Sequence, residues 1–536
     1  MFDRRIPVRQ QDVAGNIQEA PPEGASEFAE RTTGLTVLRS SAWNAASLIL
    51  PQLYVVAMSV MAARFLTPAE MGRQSYIAFI ALSLVMLMTG GVPAAVQRFG
   101  SEALGRGHVQ HLLPLVRWAA RIEVVGAALG AGIMIGSAVL GSGPQAAWVF
   151  AGVYCAFGIL QTVPAVVLAA TQRWRGVSIL AIVSGAVATV VTLVVLALGG
   201  GITGMFVVEA IMMAFNLAIT ARLARSAVRG LNTEPVESRE LRRRTARWAL
   251  IATFSGFLAF VVWRRSEFLF LNELSSDSQI AVYSIAFAAI NAITRLPEAA
   301  GMVVSPAFAT LFGARQMARI HTGYARAIRL ILLGALPLTA AIIALGPIAT
   351  RLVYGSSYSE AGTLMMIMAP ALPLVALVSV SRGLISGLGL QRVLVTVGVF
   401  AALLNVTLDL LLIPPYDATG AAIANATAQG AAAGAYVCFA RQALGPIAWE
   451  RSTLLRNCVA AIAAGAAGWG VAAALDGVAG LFVGLLACLS IYTGLAIALR
   501  VVPSPDRAWL DELLEHRLKG RPEVLARQML SAASRR

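Results

Sequence analysis

Along most of the chain, apolar residues come in long runs separated by short polar connections, without the two-residue alternation of a half-buried strand. The runs fall at approximately 41–63, 74–97, 114–140, 147–170, 177–199, 203–224, 246–271, 280–311, 327–350, 363–388, 393–413, 420–440, 457–475 and 478–500. Most reach the ~20 residues that a helix needs to cross a bilayer. The pattern predicts an all-α polytopic membrane protein of about fourteen transmembrane helices.

The flanks read differently. Residues 1–35 are polar, with Pro7, Pro21, Pro22 and mixed charges, and are expected to form a disordered cytoplasmic arm. The tail, 501–536, places Trp509, Leu510, Leu513, Leu514 and Leu518 on one helical face and charges on the other, as in an amphipathic helix lying on a membrane surface.

Arginine sets the expected orientation, because basic residues stay in cytoplasmic loops. With the N-terminus inside, the inner connections carry Arg98, Arg106, Arg173, Arg175, Arg239, Arg242, Arg243, Arg244, Arg315, Arg319, Arg392, Arg441 and more, whereas the outer loops carry Arg64, Arg73 and Arg351. Both termini are therefore expected in the cytoplasm. The net charge of +15 follows from the same asymmetry and needs anionic lipid headgroups, not nucleic acid, as its partner.

Composition agrees with the class and removes several chemistries. Hydrophobic residues make up 58% of the chain and charged ones 13%, with a mean hydropathy of +0.74. Cys155, Cys438, Cys458 and Cys488 lie in or beside apolar runs with no CxxC pair, and His108, His111, His321 and His516 show no HExxH spacing, so neither a disulfide framework nor a zinc site is expected. The one lysine, Lys519, is followed by Gly520, which leaves no phosphate-binding loop for ATP hydrolysis.

Six spans repeat once. VVLAATQRWRGVSIL (166–180) is answered by GLISGLGLQRVLVTV (383–397), MGRQSYIAFIALSL (71–84) by IAVYSIAFAAINAI (280–293) at an offset of about 209, and Thr203-Gly204 by Thr419-Gly420 at an offset of 216. Both halves start from the same side, so the repeats are parallel. The expected organisation is a six-helix bundle at 36–224, a basic linker at 225–245, a second bundle at 246–441 and two appended helices at 442–500.

The hairpin of the seventh and eighth runs interrupts the apolar pattern with Arg264, Arg265, Glu267, Arg295 and Glu298, the last two flanking Pro297. Each charge at mid-membrane costs ~2.5–3.5 kcal/mol on insertion scales, so these residues are expected to face a polar interior. Transport folds hold substrate between such repeats. Further candidates to line that cavity are Arg121, Glu123, Glu209, Arg382, Asn405 and Asp409. In the competing reading Arg121–Glu123, Arg295–Glu298 and Arg265–Glu267 neutralise one another locally or snorkel, a reading with most weight at Arg121, Glu209 and Arg382. The glycine faces Gly126, Gly130, Gly132, Gly136 and Gly430, Gly434 are expected to pack helices closely.

The runs LRSSAWNAASLILPQLYVVAMSVMAARFLTPAEMGRQSYIAFIAL, LFLNELSSDSQIAVYSIAFA, GLISGLGLQR and LNVTLDLLLIPPYDATGAAIANATAQ resemble, in this order, the polysaccharide-transport family. These are the lipid-linked oligosaccharide flippases of the multidrug/oligosaccharidyl-lipid/polysaccharide exporter superfamily, and the likeness covers roughly residues 36–500. The resemblance implies a flippase, not an enzyme, that turns an undecaprenyl-pyrophosphate-linked oligosaccharide from the inner to the outer leaflet by ion-coupled alternating access. It implies the lipid-linked glycan and membrane lipids as partners, together with a polysaccharide polymerase and glycosyltransferases of the same pathway. Arg264, Arg265, Arg295, Arg121 and Arg382 are the substrate-binding candidates, since guanidinium binds phosphate oxygens bidentately and stays charged. A multidrug exporter of the same superfamily is the alternative, expected to line its cavity with acids and aromatics. A membrane polymerase or ligase is a second, disfavoured by outer connections of about ten residues or fewer.

No cofactor is expected, but an ion gradient is. Asn405 and Asp409 are four apart and share a helix face. The resemblance to lipid II flippases puts such a pair at a sodium site completed by an acid in the seventh span, here Glu267, and by a polar residue in the twelfth, here Asn425 or Thr427. Glu298 and Glu209 are the other acids that could couple Na+ or H+ movement, and the residue types do not separate the two ions. In the competing reading Asp409 lies at the outer end of its span and is solvated, because Pro414 and Pro415 follow.

Overall fold

The computed structural model describes residues 52, 54–140, 143–171, 174–229, 236–263, 266–447, 450–503 and 506. The N-terminal arm, Arg264, Arg265 and, apart from 501–503 and Asp506, the amphipathic tail lie outside the described residues. The described chain is almost wholly helical and holds no β-strand.

The N-terminal half comprises α1 (Tyr54–Phe65), α2 (Pro68–Thr89), α3 (Val92–Gly105), α4 (Leu112–Leu140), α5 (Gln145–Ala170), α6 (Trp174–Ala197) and α7 (Gly201–Arg229). The second half comprises α8 (Arg239–Trp263), α9 (Glu267–Leu274), α10 (Asp277–Gly313), α11 (Met317–Tyr354), α12 (Ser359–Met368), α13 (Ala371–Gly387) and α14 (Gln391–Leu444). The appended pair is α15 (Arg451–Leu475) and α16 (Gly477–Ala498). Each of the fourteen apolar runs is helical over most of its described residues, with turns at Gly90–Gly91, Leu198–Gly199, Ser266 and Ala369–Pro370. Among the described residues nine helices are long and apolar enough to cross a membrane, and α12 with α13, bent by 46°, makes a tenth candidate.

Boundaries follow local chemistry. The capping box at the start of α2 pairs the Glu70 N–H with the Thr67 hydroxyl at 3.3 Å and the Thr67 N–H with Glu70 Oε2 at 2.9 Å, ahead of Pro68. The second run, expected as one span, ends at Thr89 and resumes at Val92, because Gly90 adopts φ +53°, which only glycine enters freely. In the seventh run the described chain resumes at Ser266, from which α9 starts, and Ser266 and Glu267 are both buried. Pro414 and Pro415 do not end the eleventh run. α14 continues through them and reverses at Asp417, whose φ of +48° is strained for a non-glycine residue and whose carboxylate accepts from the Ser275 hydroxyl at 2.6 Å.

The repeat is visible in paired contacts. His111 Nδ1 meets the Val236 carbonyl at 2.7 Å, and His321 Nε2 meets the Pro446 carbonyl at 2.8 Å, each spanning 125 residues. The two histidines sit at or near the start of the third long helix of each half and fasten the connection that follows the sixth.

Contacts join the halves at both ends. At the end carrying Arg98, Arg106 and Arg242, α3 lies on α8: the Gly91 N–H donates to Thr253 Oγ1 at 2.8 Å and the Phe99 and Trp248 rings meet edge to face at 6.3 Å. At the opposite end Arg73 bonds Asp277 at 2.8 Å and Asn272 at 3.3 Å, and Ser75 meets Ser284. Arg64 adds bonds to the Leu352 and Val353 carbonyls. α11 is tied to the C-terminal segment through Asp506, which accepts from Arg329 at 2.7 Å and Arg326 at 3.0 Å.

The glycine faces divide. A methyl on Gly126 would lie 3.1 Å from the Met88 carbonyl, and one on Gly130 would lie 3.1 Å from Cys155 Sγ, so both pack closely. Gly132, Gly136 and Gly434 face open space, contrary to expectation, because they point away from neighbouring helices. All four cysteines are free.

Candidate functional site

Two polar features of the interior gather the candidate residues. One is a cavity of about 680 Å³ between the halves, lined by Tyr54 and Met58 of α1, Gln74, Ser75, Phe79 and Ser83 of α2, Tyr154 of α5, Glu209 of α7, and Ser284, Phe287, Asn291 and Arg295 of α10. Its size is that of a small-ligand site.

Arg295 stands halfway along α10. Its Nη1 donates to Glu298 at 2.8 Å, whereas its Nε is buried with no acceptor among the described residues. A guanidinium N–H left without an acceptor away from water is costly, and a ligand oxygen in the cavity would satisfy it. Among the described lining residues the formal charges are Arg295 and Glu209, on opposite halves.

The second feature is a cluster between α9 and α14. Asn405 Nδ2 donates to Asp409 Oδ2 at 3.0 Å and reaches Glu267 Oε1 at 3.3 Å and Ser266 Oγ at 3.4 Å. Asn425 Nδ2 donates to Glu267 Oε1 at 2.6 Å, and Gln429 donates to Asn425 Oδ1 at 2.6 Å. Glu267, Asn405 and Asp409 are wholly inaccessible to solvent, and Asn425 nearly so. Three oxygens, Glu267 Oε2, Asn405 Oδ1 and Asp409 Oδ1, accept no hydrogen bond among the described residues. The Tyr283 hydroxyl also lies close to Glu267.

Two carboxylates held by one amide cannot both stay bare anions at this depth. Carboxylate and amide oxygens are hard donors, suited to a small hard cation, so the three unpaired oxygens fit one. Glu267, Asn405 and Asp409 would be its direct ligands, with Asn425 and Gln429 holding Glu267 in place from behind.

The cluster does not line the cavity, but it adjoins its wall. Phe268, next to Glu267, stacks on Phe79 with ring centroids 5.2 Å apart, and Phe79 lines the cavity. Five residues further along α9, Asn272 accepts from Arg73.

The remaining candidates separate from these features. Arg121 and Arg382 are exposed and line no part of the cavity. Glu123 bonds the Thr162 hydroxyl and the Val163 N–H, not Arg121. Thr427 is exposed, which leaves Asn425 as the α14 residue at the cluster. Asp409 is buried, not solvated at a span end. Glu298 is occupied by Arg295, and Glu209 faces the cavity.

Sequence reasoning passed over Gln429, Gln74, Asn291, Tyr54 and Tyr154. Gln429 was within reach, being four residues after Asn425 on the same helix face. The others carry no signal until α1, α2, α5 and α10 are brought together.

A family model described as MatE matches residues 249–411. Among solved structures, the chain resembles the lipid II flippase MurJ in an inward closed conformation with a TM-score of 0.65 at 11% identity, over 87% of this chain and 98% of MurJ. It resembles an inward-facing multidrug resistance MATE transporter with a TM-score of 0.53 at 16% identity, over 77% of this chain and 96% of that one. A MATE protein in complex with MaD3S gives 0.52 at 14% identity, over 81% and 100%. No curated protein matches the chain by sequence. The fold is that of the multidrug/oligosaccharidyl-lipid/polysaccharide exporter superfamily, and the resemblance read from the sequence is borne out at that level.

Proposed function

We propose that this protein is a transporter that moves an undecaprenyl-pyrophosphate-linked oligosaccharide from the inner to the outer leaflet of the bacterial cytoplasmic membrane, by alternating access coupled to Na+ or H+ entry. The observation that carries the reading is Arg295, whose buried Nε lacks an acceptor in a cavity between two repeated halves. A pyrophosphate oxygen supplies that acceptor, and the guanidinium keeps its charge at any pH the cell reaches. The fold likeness to the lipid II flippase MurJ supports a lipid-linked substrate.

The working steps follow from the contacts. Substrate enters when the α3–α8 contacts at the basic end open, and Arg295 holds its anionic group. Release at the other end requires the Arg73–Asp277 and Ser75–Ser284 contacts to part. The cation cluster is connected to that end through α9, which carries Glu267 at its start and Asn272 near its finish. The coupling ion, as a co-substrate, occupies the three unpaired oxygens.

One observation favours a second reading. Glu209, Tyr54, Tyr154, Phe79 and Phe287 give the cavity the acid and aromatic groups with which an exporter would hold cationic drugs. Proteoliposomes separate the two: flipping of a fluorescent polyprenyl-pyrophosphate saccharide, lost in Arg295→Ala, supports the flippase. Uptake of a cationic dye that survives Arg295→Ala and fails in Glu209→Gln supports the exporter. In cells, deleting the gene and identifying the lipid-linked sugar left on the inner leaflet would name the glycan.

A further inference from the structure

Glu209 is a buried-side acid with no evident structural task. Its carboxylate makes no hydrogen bond or ion pair among the described residues, and Tyr54 and Tyr154 line the same cavity. Glu123, in the same half, has its carboxylate satisfied by Thr162 and Val163. Glu209 instead opens onto the cavity.

A cation site does not explain it. At the repeat offset of 216, Glu209 corresponds to Asn425, but the positions matching Asn405 and Asp409 are Thr189 and Leu193. The Thr189 hydroxyl is engaged by the Gly185 carbonyl at 2.8 Å, and Leu193 is exposed. One carboxylate without convergent oxygens is not a cation cage. Nor does a phosphate explain it, since like charges at cavity distances repel strongly where water is scarce.

What remains suits a sugar. An ionised carboxylate is acceptor-only, with room for several hydroxyl donors, and its hydrogen bonds are about twice as strong as neutral ones. Tyr54 and Tyr154, in the same cavity wall, offer flat apolar faces with a hydroxyl at the edge, and Gln74 supplies both a donor and an acceptor. All four come from helices of the N-terminal half, whereas Arg295 stands on α10 of the second half.

We propose that Glu209, Tyr54, Tyr154 and Gln74 form a saccharide subsite distinct from the anion subsite at Arg295. A lipid-linked unit would then lie with its pyrophosphate toward α10 and its first sugars toward α5 and α7. The proposal rests on the flippase reading and adds to it an orientation and a basis for choosing between glycosylated and bare lipid.

The test uses the purified full chain in lipid nanodiscs, with farnesyl pyrophosphate as probe, bare and carrying one hexose (glucose, galactose or N-acetylglucosamine in turn). Wild-type protein is expected to bind at least one hexose form about tenfold or more tighter than the bare lipid. Glu209→Ala and Tyr54→Leu should each erase that margin while leaving affinity for the bare lipid unchanged, which also shows that the variants are folded. Arg295→Ala should weaken both forms together. A margin that survives in both N-terminal-half variants, or a wild type with no margin for any hexose, overturns the saccharide subsite. Bare-lipid binding that is absent from wild type, or indifferent to Arg295→Ala, instead overturns the flippase reading on which the subsite rests.

Discussion

The Ser75 hydroxyl donates to the Ser284 hydroxyl at 3.1 Å, and these serines hold the same position in the two repeats, 209 residues apart. Equivalent residues touch only where the axis relating the halves passes between them. The buried pair therefore marks that axis, at the end of the cavity sealed by Arg73 and Asp277.

If the halves separate there during transport, fixing this contact stops the cycle. In a background lacking the four native cysteines, Ser75→Cys with Ser284→Cys should form a disulfide on oxidation, abolish flipping in proteoliposomes, and regain it with reductant. Full transport by the cross-linked protein would show that release takes another route.

The cluster of Glu267, Asn405 and Asp409, proposed to take the coupling ion, predicts a graded series. Asp409→Asn and Glu267→Gln should each remove the dependence of transport on the ion gradient. Gln429→Ala, which only loosens the support of Asn425, should weaken the apparent ion affinity by about ten- to a hundredfold. Measuring flipping against imposed Na+ and H+ gradients also tells which ion couples. Unchanged ion dependence in Asp409→Asn would remove the cluster from the mechanism.

Gly420 and Gly132 should respond oppositely to alanine. A methyl on Gly420 would lie 2.1 Å from the Leu412 carbonyl, a backbone atom that cannot rotate away, whereas one on Gly132 meets nothing within 4 Å. Gly420→Ala is expected to cost about 1–3 kcal/mol as overpacking and to lower the thermal midpoint. Gly132→Ala should be neutral or slightly stabilising, by up to about 1 kcal/mol, because it removes a glycine from a helix interior. Equal midpoints for the two would contradict the tight reversal of α14.

The C-terminal clasp should resist mild acid. Burial alone would raise the Asp506 carboxyl, but its hydrogen bonds from Arg329 and Arg326 outweigh burial and hold it below the ordinary carboxylate range. A depressed folded-state value means that the contribution is complete above the unfolded value, near pH ~3.9, and fades as pH falls through the folded one. Protection of the segment after Arg500 from protease should therefore be constant from neutral pH down to about pH 5 and decline only in stronger acid. Asp506→Asn should lose that protection already at neutral pH. Loss in wild type near neutrality would assign the docking to another group.

Orientation can be read with impermeant thiol reagents on intact cells. Ser276→Cys and Ser357→Cys should label from outside and Ser238→Cys should not, in keeping with the arginine asymmetry. Labelling at position 238 would invert the assignment of the two ends.

Hydrophobic run length alone determined that this is a helical membrane protein, because a lipid-facing backbone must satisfy its own hydrogen bonds. The six-helix repeat was legible from Thr203-Gly204 and Thr419-Gly420, since a hairpin of packed helices demands a residue without a side chain: a methyl on Gly204 would lie 2.5 Å from Val195 and one on Gly420 against the Leu412 backbone. Asn405 and Asp409 were legible as a pair because four residues is one helical turn. The sequence could not choose between Asn425 and Thr427, two residues apart, because that depends on how α14 is rotated after its reversal at Asp417. It could not tell that Arg121 and Arg382 stay outside the cavity while Arg295 enters it, since the cost of a buried charge is the same for all three until neighbours decide who is enclosed. Nor could it gather Tyr54, Gln74, Tyr154 and Glu209 around one space: they come from four helices, and only packing brings those helices together.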